Sequence, residues 1–262
     1  MQFDQKRLMQ IGAALAVVLV AVALGQFGGS RETRPSAESA APVLAPAAPT
    51  SPAIDATKAS VPVSDGDFDY YVLVLSWSPT HCASDRGRGR DDDLQCRSGR
   101  LYGFVLHGLW PQHERGYPQN CRTDAPRVVA DEVMDDALRL SPSAKLVQHE
   151  WEKHGTCSGL AQEDYFAAAA LAVETVKVPK AYHALARPLV TTSDDVKRSF
   201  LDANTAIPKD GLSATCARKE LAETWVCLDK DLRPRACSND VRKKHCGARQ
   251  VRMLAVRGDW PR

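Results

Sequence analysis

Eight cysteines constrain what this 262-residue chain can fold into: Cys82, Cys96, Cys121, Cys157, Cys216, Cys227, Cys237 and Cys246. An even set of this size behind an apolar leader points to four disulfides closed in an oxidising compartment, so that distant segments are covalently tied. No Cys-x-x-Cys pair and no Cys/His spacing of the zinc-site kind occurs, and a structural zinc is not expected. The pairing itself is left open by the cysteines alone.

The leader is Lys6 and Arg7 followed by an uninterrupted apolar or small run, Ile11 to Gly25, that ends in Ala23-Leu24-Gly25. This is the pattern of a secretory signal peptide over residues 1–25. The run from Leu8 also comes close to the roughly 18–20 residues that span a bilayer, so an uncleaved N-terminal anchor is the alternative. Residues 26–63 read as a Pro/Ala-rich linker, with Pro35, Pro42, Pro46, Pro49, Pro52 and Pro62 and no apolar periodicity. Residues 64–262 are then one domain, long enough for a single sizeable core. Export places the protein outside the cell or in the periplasm, touching a membrane only through a retained anchor.

A formal charge of +2 over the whole chain excludes a polycation. Cys216 to Arg262, however, holds twelve Lys and Arg against six Asp and Glu. That local surplus suits a polyanionic partner as well as an ordinary solvated face.

Tyr70 to Trp77 is rich in β-branched and aromatic residues and stops at Pro79, the pattern of a buried strand. Arg86 to Asp93, charged and holding two glycines, is a loop between Cys82 and Cys96. Leu101 to His107 reads as a second strand that ends before Pro111. Helices are expected over Ala130 to Leu140, from a Ser141 cap and Pro142 to His154 with Gly155 as terminator, over Glu163 to Val178, and over Asp194 to Asn204. Trp225 to Leu228 and Val251 to Val256 read as late strands. Without regular β-α alternation the fold class is α+β, a central mostly antiparallel sheet flanked by helices.

Two strings carry the chemistry: His107-Gly108-Leu109-Trp110-Pro111, and His149-Glu150-Trp151-Glu152-Lys153-His154-Gly155-Thr156-Cys157. On a helix Glu150, Lys153 and His154 share a sector of about 100°, whereas His149 points about 140° away from His154. A zinc-protease pair of histidines needs a spacing of four and no adjacent ammonium, so the metal reading is poor. Metal-free phosphoryl transfer fits better. One imidazole can serve as base and another as acid, Lys153 can stabilise developing negative charge, and Glu150 can orient its neighbours or donate when protonated. Trp110 offers a flat face to a base or sugar. Taken singly, each of these residues is more ordinarily structural; their joint occurrence carries the reading.

Both strings resemble the two signature segments of the ribonuclease T2 family, secreted acid ribonucleases that include the self-incompatibility S-ribonucleases. The resemblance spans about Tyr70 to Arg262 and takes in Trp77-Ser78-Pro79-Thr80-His81-Cys82 and Leu228-Asp229-Lys230-Asp231-Leu232. It implies an endoribonuclease of low base specificity that cuts single-stranded RNA by attack of the 2′-OH, leaving a 2′,3′-cyclic phosphate. No cofactor and no metal are implied, and a monomer is expected. Position by position, His154 matches the general base and His107 the general acid. Glu150 and Lys153 match the transition-state stabilisers, His149 the phosphate-binding histidine, and Trp110 the base pocket. The implied bridges are Cys82–Cys96, Cys121–Cys157, Cys216–Cys246 and Cys227–Cys237, the second expected to hold the two strings together. Gln112 stands where some members carry an acidic residue that reads adenine, and Tyr117 is the candidate base-stacking tyrosine. His81 replaces an aromatic residue, and His113, His183 and His245 match no motif and are expected at the surface. A non-catalytic RNA- or glycan-binding protein on the same scaffold is the competing class, disfavoured because every catalytic position is kept. A toxin or defence role would differ only in access to its target.

Overall fold

The computed structural model describes residues 60–62 and 64–261. The signal-or-anchor reading of residues 1–25, and nearly all of the linker reading of 26–63, fall outside the described residues. Among the described residues no helix is long and apolar enough to cross a membrane.

In chain order the elements are β1 (Tyr70–Trp77), α1 (Ser78–Cys82), α2 (Asp93–Cys96), β2 (Phe104–Gln112), α3 (Asp131–Ala137), α4 (Ala144–Lys153), α5 (Gln162–Glu174), β3 (Leu189–Thr192), α6 (Ser193–Ala203), β4 (Leu212–Ala217), β5 (Glu220–Leu228), α7 (Asn239–Arg242) and β6 (Gln250–Met253). The sheet runs β2-β1-β5-β6-β3, with β4 also paired to β5. Every pairing is antiparallel except the single β5–β6 contact. This is the α+β arrangement expected of the sequence.

β1 is apolar on both faces because both are covered. Tyr71, Leu73, Leu75 and Trp77 enter the main core with α4, α5 and α6, while Tyr70, Val72 and Val74 pack with Cys227, Cys237 and Val241. Such a strand reads as a continuous apolar run. The small residues Ala168, Ala169 and Ala172 let α5 lie close against that core.

β2 departs from expectation. It continues through Pro111, which pairs with Tyr71, instead of ending at His107. As the outermost strand of the path it tolerates a residue with no N–H to donate. A register shift opposite Val74 and Leu75 leaves His107 without a partner between Leu106 and Gly108. This β-bulge lets Leu106 and Leu109 both face the core while His107 and Trp110 point away from it.

The cap of α4 also differs. Ser143, not Ser141, is the N-cap, its hydroxyl accepting from Leu146 N–H. Ser141 is held instead by the end of α3, its N–H bonding to Ala137 O, and Leu140 O accepts from Leu106 N–H of β2. β3 and β4 lie outside the expected strands: neither is long nor strongly apolar, and both depend on neighbours distant in sequence.

The disulfides are Cys82–Cys96, Cys121–Cys157, Cys216–Cys246 and Cys227–Cys237. Cys121–Cys157 fixes the loop after β2 to the turn that follows α4, together with a bond from Asn120 N–H to Lys153 O. It does not join the two strings, which meet directly through their side chains. Replacing Cys121 and Cys157 together by serine is expected to lower the unfolding free energy by about 3–4 kcal/mol, from loop closure over a separation of 36 residues. Urea titration followed by tryptophan fluorescence measures it.

Candidate active site

Three elements bring the chemistry together: the bulge of β2, the C-terminal end of α4 and the middle of β5. Glu150, in the last turn of α4, is 3% exposed. One carboxylate oxygen accepts from the Trp110 indole N–H at 2.5 Å, and the other lies 3.5 Å from His107 Nε2. Burial pushes its pKa up to about 7, against the opposing pull of His107, the Trp110 bond and Lys153. Gly108 explains why this fits: a Cβ there would strike the Glu150 carboxylate and sit 2.6 Å from Trp110 Nε1. The glycine is required by close approach, not by backbone angle. The carboxylate does not hold Lys153 or His154, as the helical spacing suggests it could. Only its backbone carbonyl serves His154, accepting that residue's N–H at 2.9 Å.

His107 is held from the opposite side. Its Nδ1 donates to Glu223 Oε1 at 2.5 Å, and the other oxygen of Glu223 accepts from the Trp225 indole at 2.7 Å. A carboxylate can only accept, so the proton sits on Nδ1 and leaves Nε2 as the working nitrogen. Burial alone would lower the His107 pKa. The Glu223 bond and the charges of Glu150 and Glu223 outweigh it, and the pKa is raised. Glu223, although half-buried, is held below the usual carboxylate range by the same partner.

His154 lives in the opposite environment. It caps α4, is 2% exposed and stacks on Trp110 with ring centroids 4.9 Å apart. Burial first, then the positive charges of Lys153, His107 and His149, drive its pKa down to about 3. Its Nδ1 is buried with no hydrogen-bond partner among the described residues. The fold thus keeps one imidazole neutral and favours charge on the other, with Trp110 touching both.

Lys153 and His154 line a cavity of about 560 Å³ together with Trp110, Gln112, Tyr117 and Trp225. Gln112 is buried and Tyr117 is 50% exposed, its ring 6.4 Å from that of His154. Trp110 does not present a free face on both sides, since His154 covers one. His149 stands exposed on α4, close enough for Lys153 and His107 to add to the burial that lowers its pKa. Among the described residues no three His, Cys, Asp or Glu side chains are grouped to hold a metal ion.

Glu223 is the residue of this cluster that the sequence does not reveal. The expected late strand begins at Trp225, whereas β5 begins at Glu220. Period-2 alternation puts Glu223 beside Trp225 on one face, but only the pairing of Ser76 with Glu223 carries it to His107. Among the other histidines, His81 reaches Asp92 at 3.1 Å. His245 is half-buried rather than at the surface: Ala214 N–H donates to its Nδ1 and its Nε2 donates to Asp194.

Comparison with known proteins is consistent in direction. The sequence model of the ribonuclease T2 family matches residues 68–237. A ribonuclease of Aeromonas hydrophila is 36% identical over 216 residues, 73% of this chain and 88% of its own length. A probable ribonuclease of Haemophilus influenzae is 37% identical over 181 residues, 65% of this chain and 61% of its own. Among solved structures, an RNase-related protein from Calystegia sepium aligns with a TM-score of 0.57 at 21% identity, over 72% of this chain and 98% of that one. RNase NT in complex with 5′-AMP gives 0.52 at 22% identity, over 72% and 99%. The structural likenesses show a shared fold.

The Glu223→Gln substitution is expected to lower the His107 pKa, because burial would then meet only the charge of Glu150. An NMR titration of the His107 ring checks this, and an unchanged midpoint would remove Glu223 from that role.

Proposed function

Because the chain belongs to the ribonuclease T2 family and is an RNA-cleaving endoribonuclease, we propose that it cuts RNA without metal, through the two histidines that its fold sets in opposite protonation states. His154, neutral, takes the proton of the ribose 2′-OH. The freed oxygen attacks the adjacent phosphorus, and the bond from phosphorus to the 5′-oxygen breaks. His107, protonated at Nε2, supplies the proton to that departing oxygen. The products are a 2′,3′-cyclic phosphate and a 5′-OH end. Lys153 faces the non-bridging oxygens, and Glu150, kept protonated in mild acid, donates to one of them. His149 adds a contact at the rim.

The observation that carries this reading is the unequal treatment of two imidazoles flanking one indole. A free base requires pH above its pKa and a charged acid requires pH below its own. The free-enzyme kcat/KM profile should therefore rise with His154 at the acid end and fall with His107 at the upper end, giving a maximum in the acid range.

Trp110, Gln112 and Tyr117 are the residues for the base 5′ of the cut, and low base specificity is the reading. The leader and four bridges support export to the periplasm or medium, as a monomer, with residues 1–25 as signal or anchor, 26–63 as spacer and 64–262 as the catalytic domain.

A defined RNA incubated with the protein in excess EDTA should yield cyclic-phosphate and 5′-OH ends, read by mass spectrometry. His107→Ala and His154→Ala should each lower kcat by about 10²–10⁴-fold. Cleavage that stops with EDTA, or 3′-OH ends, would overturn the mechanism.

A further inference from the structure

Trp225 lines the cavity of the site, yet the reaction proposed above gives its ring no task. Strand alternation turns Trp225 and Glu223 to the same face of β5, the one away from the main core. On that face Val72 of β1 lies opposite Trp110 of β2, and Val74 lies opposite Trp225. Both valines are short and fully buried, so the two indoles meet over them, ring centroids 5.1 Å apart and planes at 82°.

The two rings are not equally free. His154 stacks on one face of Trp110, and the rings of His107 and Trp225 stand nearly perpendicular to it at 5.2 and 5.1 Å. Trp110 is thus a strut held between other rings. Among the described residues Trp225 has Trp110 as its sole ring neighbour, and it stays half-buried on the wall of the cavity of about 560 Å³. That volume lies in the range of ligand sites, about 300–1,000 Å³. Tyr117, half-exposed, and the base His154 line the same space.

The Trp225 ring is also held in place. Its N–H donates to Glu223 at 2.7 Å, and the other oxygen of that carboxylate accepts from His107. The wall formed by α7 is equally fixed. Val241 packs in the same small apolar cluster, its carbonyl accepts from Ser213 Oγ at 3.2 Å, and Cys227–Cys237 ties the preceding segment to β5. Groups able to read the edge of a base are few. Of the two in the cavity, Gln112 and Asp240, the carboxylate of Asp240 already accepts from Gly116 N–H at 3.0 Å. A site of this make-up selects by the area of the flat face it covers more than by edge pattern.

We propose that Trp225 is a stacking surface for the base 5′ of the cut, and that it makes the cavity favour purines over pyrimidines. The assignment rests on the reaction proposed above: the nucleotide whose 2′-OH is deprotonated by His154 must sit in the cavity that His154 lines. A purine covers more of an indole than a pyrimidine does. Stacking is indifferent to edge groups, so adenine and guanine are served alike. Glu223 then has two duties, orienting the ring that meets the base and the histidine that protonates the departing oxygen.

The test uses the full chain and synthetic strands with one ribonucleotide in an otherwise deoxy sequence, so that a single 2′-OH fixes the cut. The ribonucleotide carries adenine, guanine, cytosine, uracil or no base. In the unaltered protein kcat/KM should be higher for both purines than for both pyrimidines, and lowest for the abasic strand. Trp225→Leu should reduce the advantage of adenine over no base by about tenfold, the scale of one base stacked on one ring. It should also bring the purine-to-pyrimidine ratio close to one. Trp225→Phe, which keeps a flat ring, should retain most of both effects. Each ratio is taken within one variant, so the folded fraction cancels. Ratios in Trp225→Leu equal to those of the unaltered protein overturn the proposal and leave the reaction standing. So does a Leu variant that changes selectivity only for the base 3′ of the cut. Failure of the unaltered protein to cut any of these strands overturns the reaction itself.

Discussion

The buried carboxylate of Glu150, seated on the bare backbone of Gly108, is the contact on which the site depends. A charged carboxylate taken out of water is strongly disfavoured unless paired, and a neutral one still needs partners for its oxygens. Here those partners are the Trp110 indole and His107, both from β2. The C-terminal turn of α4 is therefore locked to the edge of the sheet, and His154, the next residue beyond that turn, is buried against the same indole. Shift the strand by one residue and Trp110 would enter the core, leaving the carboxylate without its donor.

The two histidines are chemically the same residue in different surroundings. His107 is bonded through Nδ1 to the ionised Glu223, which offsets its burial and favours the imidazolium. His154 is buried against an aromatic ring and close to other positive groups, which disfavour it. The difference needs no metal to create it, because desolvation and local charge suffice to move imidazole pKa values apart.

Much of this is legible in the sequence. The first two strands, the four longer helices, the α+β class and the residues of both strings follow from apolar runs, turn residues and motif spacing. Where structure and sequence pattern part, a nonlocal partner decides. Pro111 ordinarily stops a ladder and so marks His107 as a strand end, yet an edge position lets the strand run on. Ser141 and Ser143 are equally good caps by residue type, and the choice falls to Ser143 because α3 and β2 already claim the Ser141 segment. His245 matches no motif and has the pattern of a surface residue, but β4 supplies a donor to its ring.

The sequence by itself determined which groups are present and what they can do: a pair of histidines, a carboxylate and a lysine at helical spacing, a glycine beside the first histidine, and enough cysteines for four bridges. These are local properties, set by residue chemistry and by the periods of helix and strand. Only the tertiary structure decided which histidine is charged, because that depends on Glu223, a carboxylate brought across β1 by strand pairing from far along the chain. It also decided that Trp225 meets Trp110 over Val72 and Val74. Burial, register and long-range charge are properties of the packed chain, and no spacing along it encodes them directly.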